Sequence, residues 1–260
     1  MSAYETIQYE VRGAVAAITL NRPEVLNALN TVLRRELIEA IEAASADEQI
    51  RVVILSGNGR AFCTGADLAE KRPADFSPQI ELEDEIKPAL LAIANAPKPF
   101  IAAVNGIVAG GGVGYALACD LVIMSEQAAM LQPFVSIGLI PDAGATWHLL
   151  NQLGRKRAYE LMTSGERVPA ARCLELGLVN RVVPAAALME EAWAWAAALA
   201  AKAPLSLRYS KQALTAIEHM SLEQAITYES ALQNRLMRSQ DAKEGVRAFL
   251  EKRPPAFKGH

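Results

Sequence analysis

The chain is poor in the residue types that hold metals, bridge secreted folds or cross bilayers. Its three cysteines, Cys63, Cys119 and Cys173, are odd in number and widely spaced, with no Cys-x-x-Cys pair. That argues against a disulfide framework and against structural zinc. Cys63 stands near a glycine loop but has no histidine close in sequence to make it a thiolate, so it reads as a small buried filler. No uninterrupted apolar run approaches the roughly 18 residues of a membrane-spanning helix. With a formal charge of -3 there is no basic field to draw the chain onto nucleic acid or anionic lipid. The opening Met1-Ser2-Ala3-Tyr4-Glu5 lacks the basic flank and apolar stretch of a secretory signal, and the cytoplasm is the expected location.

What the sequence does have is enough apolar material, 52% of 260 residues, for a sizeable core with a smaller appendage. Val15 to Leu20 and Val52 to Ser56 read as strands, with Leu33, Leu37 and Ile41 at helical spacing between them. The rhythm continues with a helical segment to Ala94, a strand at Phe100 to Val104, a glycine turn, a helix through Tyr115 to Cys119, and a strand at Leu121 to Met124. Such alternation predicts an α/β domain. The polar stretch Glu70 to Glu85 suits either a mobile loop over a site or a solvated connection. Beyond Arg155 helices dominate, and Ser206 to Leu250 is periodic throughout. We expect an α/β core over residues 1–195 and a helical region over 196–260 that must pack on the core or on a neighbouring subunit. The triplet Arg155-Lys156-Arg157 reads as a solvated helix start.

Two glycine-bearing loops could carry chemistry. The first is Arg60-Ala61-Phe62-Cys63-Thr64-Gly65-Ala66-Asp67-Leu68; the second is Asn105-Gly106-Ile107-Val108-Ala109-Gly110-Gly111-Gly112. Glycines at a strand-to-helix turn allow close backbone approach and leave N–H groups unpaired at the positive end of a helix, where they hold a phosphate or a developing oxyanion. Tight packing alone would also explain them. Neither G-x-G-x-x-G nor a Gly-Lys-Ser/Thr sequence is matched, so dinucleotide and P-loop readings lack support. Downstream, Asp142 in Gly138-Leu139-Ile140-Pro141-Asp142-Ala143-Gly144 is either a base or a turn residue capping the next helix.

These loops, in this order and separation, resemble the crotonase family, also called the enoyl-CoA hydratase/isomerase family. The likeness runs from Asn21-Arg22-Pro23-Glu24-Val25-Leu26-Asn27-Ala28, through Gly165, Ala170 and Leu178, to Glu244-Gly245-Val246-Arg247-Ala248-Phe249-Leu250-Glu251-Lys252-Arg253. The resemblance implies a crotonase-like spiral of ββα units, a C-terminal helical trimerisation region giving a homotrimer or a dimer of trimers, and an acyl-CoA thioester substrate. Coenzyme A would then be part of the substrate, with no separate cofactor and no metal. It further implies an oxyanion hole from the backbone N–H groups of Ala66 and Gly111. Val25, Ala28, Ala61, Asp67 and Leu68 would line the coenzyme A groove, with Phe249 and Lys252 completing it. Gly65, Gly110, Gly114, Phe134 and Pro141 join the expected substrate-binding set around Asp142.

The departures from the family pattern are informative. Hydratases of the family place one Glu at the position of Gly114 and another at that of Phe134 to activate water, and this chain has neither. Its Asp142 matches the acidic position of single-carboxylate enoyl-CoA isomerases and of the epoxyphenylacetyl-CoA isomerase subgroup. Related dehalogenases use an Asp there as a nucleophile, but with a histidine at the position of Lys87 and a tryptophan at that of Phe134. Dienoyl-CoA isomerases pair it with an acid at Phe134. The expected activity is therefore isomerisation through a thioester enolate with Asp142 as base, made basic by desolvation from Phe134, Leu139 and Ile140. Alternatives are an enoyl-CoA hydratase, a noncatalytic acyl-CoA-binding protein, and nucleophilic thioester hydrolysis or dehalogenation. Asp67 is expected to fix the loop presenting Ala66, and His148 to be a helix residue.

Overall fold

A computed structural model describes residues 4–260. Its elements are β1 (Ile7–Arg12), β2 (Val15–Leu20), α1 (Thr31–Ala46), β3 (Val52–Gly57), β4 (Ala61–Cys63), α2 (Pro78–Glu81), α3 (Lys87–Asn95), β5 (Phe100–Val104), β6 (Ile107–Ala109), α4 (Gly111–Ala118), β7 (Leu121–Ser125), β8 (Ala129–Leu131), α5 (Ala145–Ser164), β9 (Val168–Pro169), α6 (Ala170–Glu175), β10 (Arg181–Val183), α7 (Leu188–Ala200), α8 (Pro204–Ile217), α9 (Leu222–Leu236) and α10 (Gln240–Glu251).

Two sheets stand side by side. The larger has the order β1-β2-β3-β5-β7-β10 and the smaller β4-β6-β8-β9. From β2 onward the larger sheet is parallel, with Ile18 beside Leu55 and Leu55 beside Ala102. Successive pairs β3/β4, β5/β6 and β7/β8 each give one strand to either sheet, which is the spiral of ββα units.

Crossover helices cover a parallel sheet on both faces, so its strands are apolar at every position. Ile18, Leu20, Val53 and Leu55 pack into one core with Leu33, Leu37 and Ile41 of α1. Val15, Ala17, Val52 and Ile54 pack on the opposite face against Leu188, Ala192, Ala196 and Ala200 of α7. Each fully buried leucine contributes roughly 1.5–3 kcal/mol. Asn30 caps α1 by accepting the Leu33 amide at 2.9 Å. The expected boundary at residues 195/196 falls inside α7, whose buried stripe continues to Ala200, so the sheet-packed part extends that far.

Three sequence expectations change. The two glycine-bearing loops contain β4 and β6, strands of three residues each. Glu70 to Glu85 is not a loop throughout: the chain turns helical at Pro78, where the Ser77 hydroxyl caps α2, and a π-helical turn at Leu82–Ile86 leads into α3. β1 adds an antiparallel edge strand that the sequence reading lacked.

Helices α8 to α10 add no residue to the two hydrophobic clusters and are tethered to the α/β part by polar contacts. Lys211 of α8 docks by donating to the carbonyl of Ile93 at 2.7 Å and to the Asp120 carboxylate at 2.8 Å. Arg51 reaches the Ala200 and Phe257 carbonyls. Among the described residues no helix is long and apolar enough to cross a membrane.

Candidate active site

The first glycine loop is held in place by one strand-like bridge. Leu29 pairs in parallel with Ala66: the Leu29 amide donates to the Gly65 carbonyl at 2.8 Å, and the Asp67 amide donates to the Leu29 carbonyl at 3.2 Å. In this pattern the residues flanking Ala66 make the bonds, and the Ala66 N–H points to the other side. Arg22 Nη2 grips Asp67 Oδ2 at 2.9 Å, with both side chains largely enclosed, and Asp67 Oδ1 accepts the Ala69 amide at 3.1 Å. Asp67 therefore fixes the loop and leaves the neighbouring Ala66 exposed.

The second loop abuts the first. Gly110, at φ +54, stands before α4, and Gly111 opens that helix, where amides have no intrahelical acceptor. Gly65 lies so close that a Cβ built on it would come within 2.9 Å of the Gly111 nitrogen, and its φ of +85 is itself a glycine conformation. The amides of Ala66 and Gly111 are thus on adjoining backbone segments that only glycine at 65 can bring together.

Asp142 lies against this pair. Its Oδ1 is 3.6 Å from where a Cβ on Gly111 would sit, and Ala143 packs beside it. Ala143 takes φ +49, a left-handed conformation uncommon for alanine, and the turn is closed by the Ala145 amide on the Asp142 carbonyl at 2.9 Å and the Thr146 hydroxyl on the Pro141 carbonyl at 3.1 Å. The helix cap that competed for Asp142 is absent: Gly144 occupies the cap position of α5, and no side chain caps it. Burial, reinforced by the negative charge of Glu81, pushes the Asp142 carboxyl up to about 6.

The other expected residues divide. Phe134 is buried with its ring tip 3.7 Å from the Cβ position of Gly110, forming a wall beside the two glycine segments, and Pro141 is buried next to Asp142 in the chain. Val25 and Leu68 are exposed, and Ala28 retains a sliver of surface. Two residues do not line a groove. Ala61 has no exposed surface: β4 is the edge strand of the small sheet, but β3, β5 and α4 pack around it, and Gly114 faces the Ala143 carbonyl, with no space for a Cβ between them. Leu139 and Ile140 are 58% and 80% exposed, so they do not desolvate Asp142 as expected. Phe249 is exposed on α10, and Lys252 ends that helix in a left-handed turn.

Sequence reasoning missed Arg34 and Glu81. Arg34 is 3% exposed and contacts Glu70, Glu81 and Glu85 at 3.3, 3.4 and 2.7 Å. No local sequence signal marks them, because the partners of Arg34 come from a segment distant in the chain. His148 is half-buried, and desolvation pushes it down to about 4, so it brings no charge to the neighbourhood of Asp142 at neutral pH.

Two amides beside one carboxylate form an arrangement that can take a proton from carbon and hold the resulting oxyanion. Residues 10–260 match the family model described as enoyl-CoA hydratase/isomerase. The chain belongs to that family. Among its members, a "probable enoyl-CoA hydratase" of Rhodobacter capsulatus is 42% identical, with 99% of each chain covered. A 1,2-epoxyphenylacetyl-CoA isomerase of Escherichia coli is 38% identical, covering 98% of this chain and 99% of the relative. The crystal structure of an enoyl-CoA hydratase from Bacillus anthracis superposes with a TM-score of 0.92 at 34% identity, covering 98% of this chain and all of the other. Family membership assigns an acyl-CoA hydratase or isomerase; which of the two depends on the acids at the site.

Proposed function

We propose that the enzyme is an acyl-CoA isomerase that moves a double bond from 3-enoyl-CoA to 2-enoyl-CoA, or isomerises a ring 1,2-epoxyphenylacetyl-CoA, through a thioester enolate with Asp142 as base. The supporting observation is the occupancy of the hydratase positions. The Ala143 carbonyl fills the space that a side chain at 114 would need, and an aromatic ring stands at 134. Hydration by the two-glutamate route needs acids at both.

In the proposed reaction Asp142 removes a proton from C2, and the electron pair moves onto the thioester oxygen. The Ala66 and Gly111 amides would hold that oxygen; one such donor contributes about 3–4 kcal/mol of barrier lowering. The proton then returns from Asp142 to C4 as the 2-ene forms, so nothing is consumed. A carboxyl near 6 is a stronger base than a free aspartate at about 3.9 while remaining mostly ionised at neutral pH.

The 42% identity to a protein named as a hydratase favours hydration as a second reading, with Asp142 alone orienting water. Incubation with crotonyl-CoA and with a 3-enoyl-CoA separates the two. The isomerase converts the 3-enoyl substrate to the conjugated product and leaves crotonyl-CoA absorbance unchanged. Appreciable 3-hydroxyacyl-CoA would replace this proposal with hydration. Leu214, Leu222, Ile226, Phe249 and Leu250 are exposed on the C-terminal helices, which supports assembly as a trimer or paired trimers, checked by light scattering.

A further inference from the structure

Arg34 is a buried cation in the first turn of α1, where the helix dipole disfavours positive charge, and α1 brings no acid of its own to that turn. Its countercharges come from further along the chain. Nε donates to Glu85 Oε2 at 2.7 Å, and Nη1 lies 3.3 Å from Glu70 Oε2 and 3.4 Å from Glu81 Oε1. Nη2 donates to the Thr31 hydroxyl at 3.0 Å. A planar fork of donors can span such a set of acceptors, whereas the point charge of a lysine cannot. Buried ion clusters are a poor source of stability, so what the guanidinium holds matters more than the cluster itself.

It holds the Leu29 carbonyl. Nη1 donates to that oxygen at 2.8 Å, and the same oxygen accepts the Asp67 amide at 3.2 Å, so both of its lone pairs are used. The Leu29 amide in turn donates to the Gly65 carbonyl at 2.8 Å. That carbonyl and the Ala66 N–H belong to one planar trans peptide and point in opposite directions, so the bond from Leu29 sets the line along which the Ala66 amide is aimed. A charge-assisted bond is stronger than a neutral one, and the only such bond on Leu29 comes from Arg34. We propose that Arg34 is a positioning residue for the oxyanion donor: through the Leu29 carbonyl it fixes the direction of the Ala66 amide, and Glu70 and Glu85 hold the guanidinium in place. Arg34 acts on the loop and not by its charge on the substrate, because the carboxylates around it already neutralise that charge. The segment from Glu70 to Glu85 and the loop that presents Ala66 thereby share one support.

The inference rests on Ala66 as an oxyanion donor, and the test keeps the two apart. Hexanoyl-CoA, isotopically labelled at its thioester carbonyl carbon, is bound to the full enzyme, and difference infrared spectroscopy reads the carbonyl stretch, which falls as donors polarise the bond. In the parent the stretch lies below that of the free ligand. Arg34→Met keeps the stem of the side chain and loses the donors, so most of that downshift disappears. In parallel, kcat for a 3-enoyl-CoA falls about tenfold with KM little changed, because the aim of the donor matters most in the transition state. Should this variant fail to fold with its glutamates unpaired, Arg34→Met combined with Glu70→Gln and Glu85→Gln removes the stranded charges and is read in the same way. A folded variant that keeps the parental carbonyl stretch and kcat, with only a lower Tm, overturns the proposal and leaves Arg34 as a packing residue. A parent that leaves the ligand carbonyl unshifted removes the hole, and the role of Arg34 falls with it. If Asp142→Asn keeps normal isomerisation while Arg34→Met still loses the downshift, the proposed base fails and the positioning role stands.

Discussion

Gly114 on α4 faces the carbonyl oxygen of Ala143, and a Cβ on the glycine would overlap that oxygen. The Asp142–Ala143 turn therefore sits where a longer side chain at 114 would run. A glutamate at 114 and the present Asp142 turn exclude one another, so introducing Gly114→Glu should not create a hydratase. We expect it to destabilise the protein by about 1–3 kcal/mol or more through overpacking, and to lower isomerisation by displacing Ala143. Chemical denaturation and both enoyl-CoA assays check this; a stable variant that hydrates crotonyl-CoA would refute it.

Arg22→Met should act on catalysis at a distance. Removing the cation leaves Asp67 with only the Ala69 amide, and losing one partner of this largely enclosed pair costs about 1–3 kcal/mol. Because the affected loop presents Ala66, the proposed oxyanion donor, the loss should fall on kcat more than on KM, by about tenfold. Unchanged kcat with a lower Tm would mean that the pair is structural only.

Much of this was legible in the sequence, and the gaps have physical causes. The strands β2, β3, β5 and β7 announce themselves because burial on both faces makes them continuously apolar. β1 escapes because it is an edge strand whose outer positions, such as Gln8, Glu10 and Arg12, are polar or exposed. β4 and β6 escape because three residues are too few to show a period. Gly65, Gly111 and Asp142 were legible as expected site residues through the family resemblance, and in the structure they are close neighbours. The Arg34 cluster was not readable: its partners lie up to 51 residues away, and their pairing exists only once α1 and the turn before α3 are packed together.

Gly65→Ala offers a direct test of the hole. The residue combines φ +85 with a Cβ position 2.9 Å from the Gly111 nitrogen, so an alanine must push the two donor segments apart. Misplacing one oxyanion donor typically costs 100- to 1000-fold in kcat, on the order of 3–4 kcal/mol. Single-turnover kinetics should show the loss in the chemical step, with acyl-CoA binding nearly intact. Near-normal turnover would remove Gly111 from the hole.

Asp142→Asn should trade activity for stability. The folded carboxyl at about 6 lies above its unfolded value of about 3.9, so between those limits the native state holds a proton that the unfolded chain has released. Native stability from this group is therefore greatest below about pH 4, declines as pH rises to about 6, and stays reduced above it. Asparagine removes the buried charge, so at pH 8 the variant should be more stable than the parent by about 1–2 kcal/mol, allowing for partial solvent screening. The difference should vanish toward pH 4, and comparing variant with parent cancels the titration of other acids such as Glu36, whose carboxylate accepts the Glu5 and Thr6 amides and the Thr6 hydroxyl. Isomerisation should fall about 100- to 10,000-fold, while parental kcat/KM climbs through about pH 6 as the base ionises. Denaturant melts across pH together with rate profiles decide the matter: a variant less stable than the parent at pH 8 would show that the Asp142 charge is favourably held, and a desolvated base would no longer describe this site.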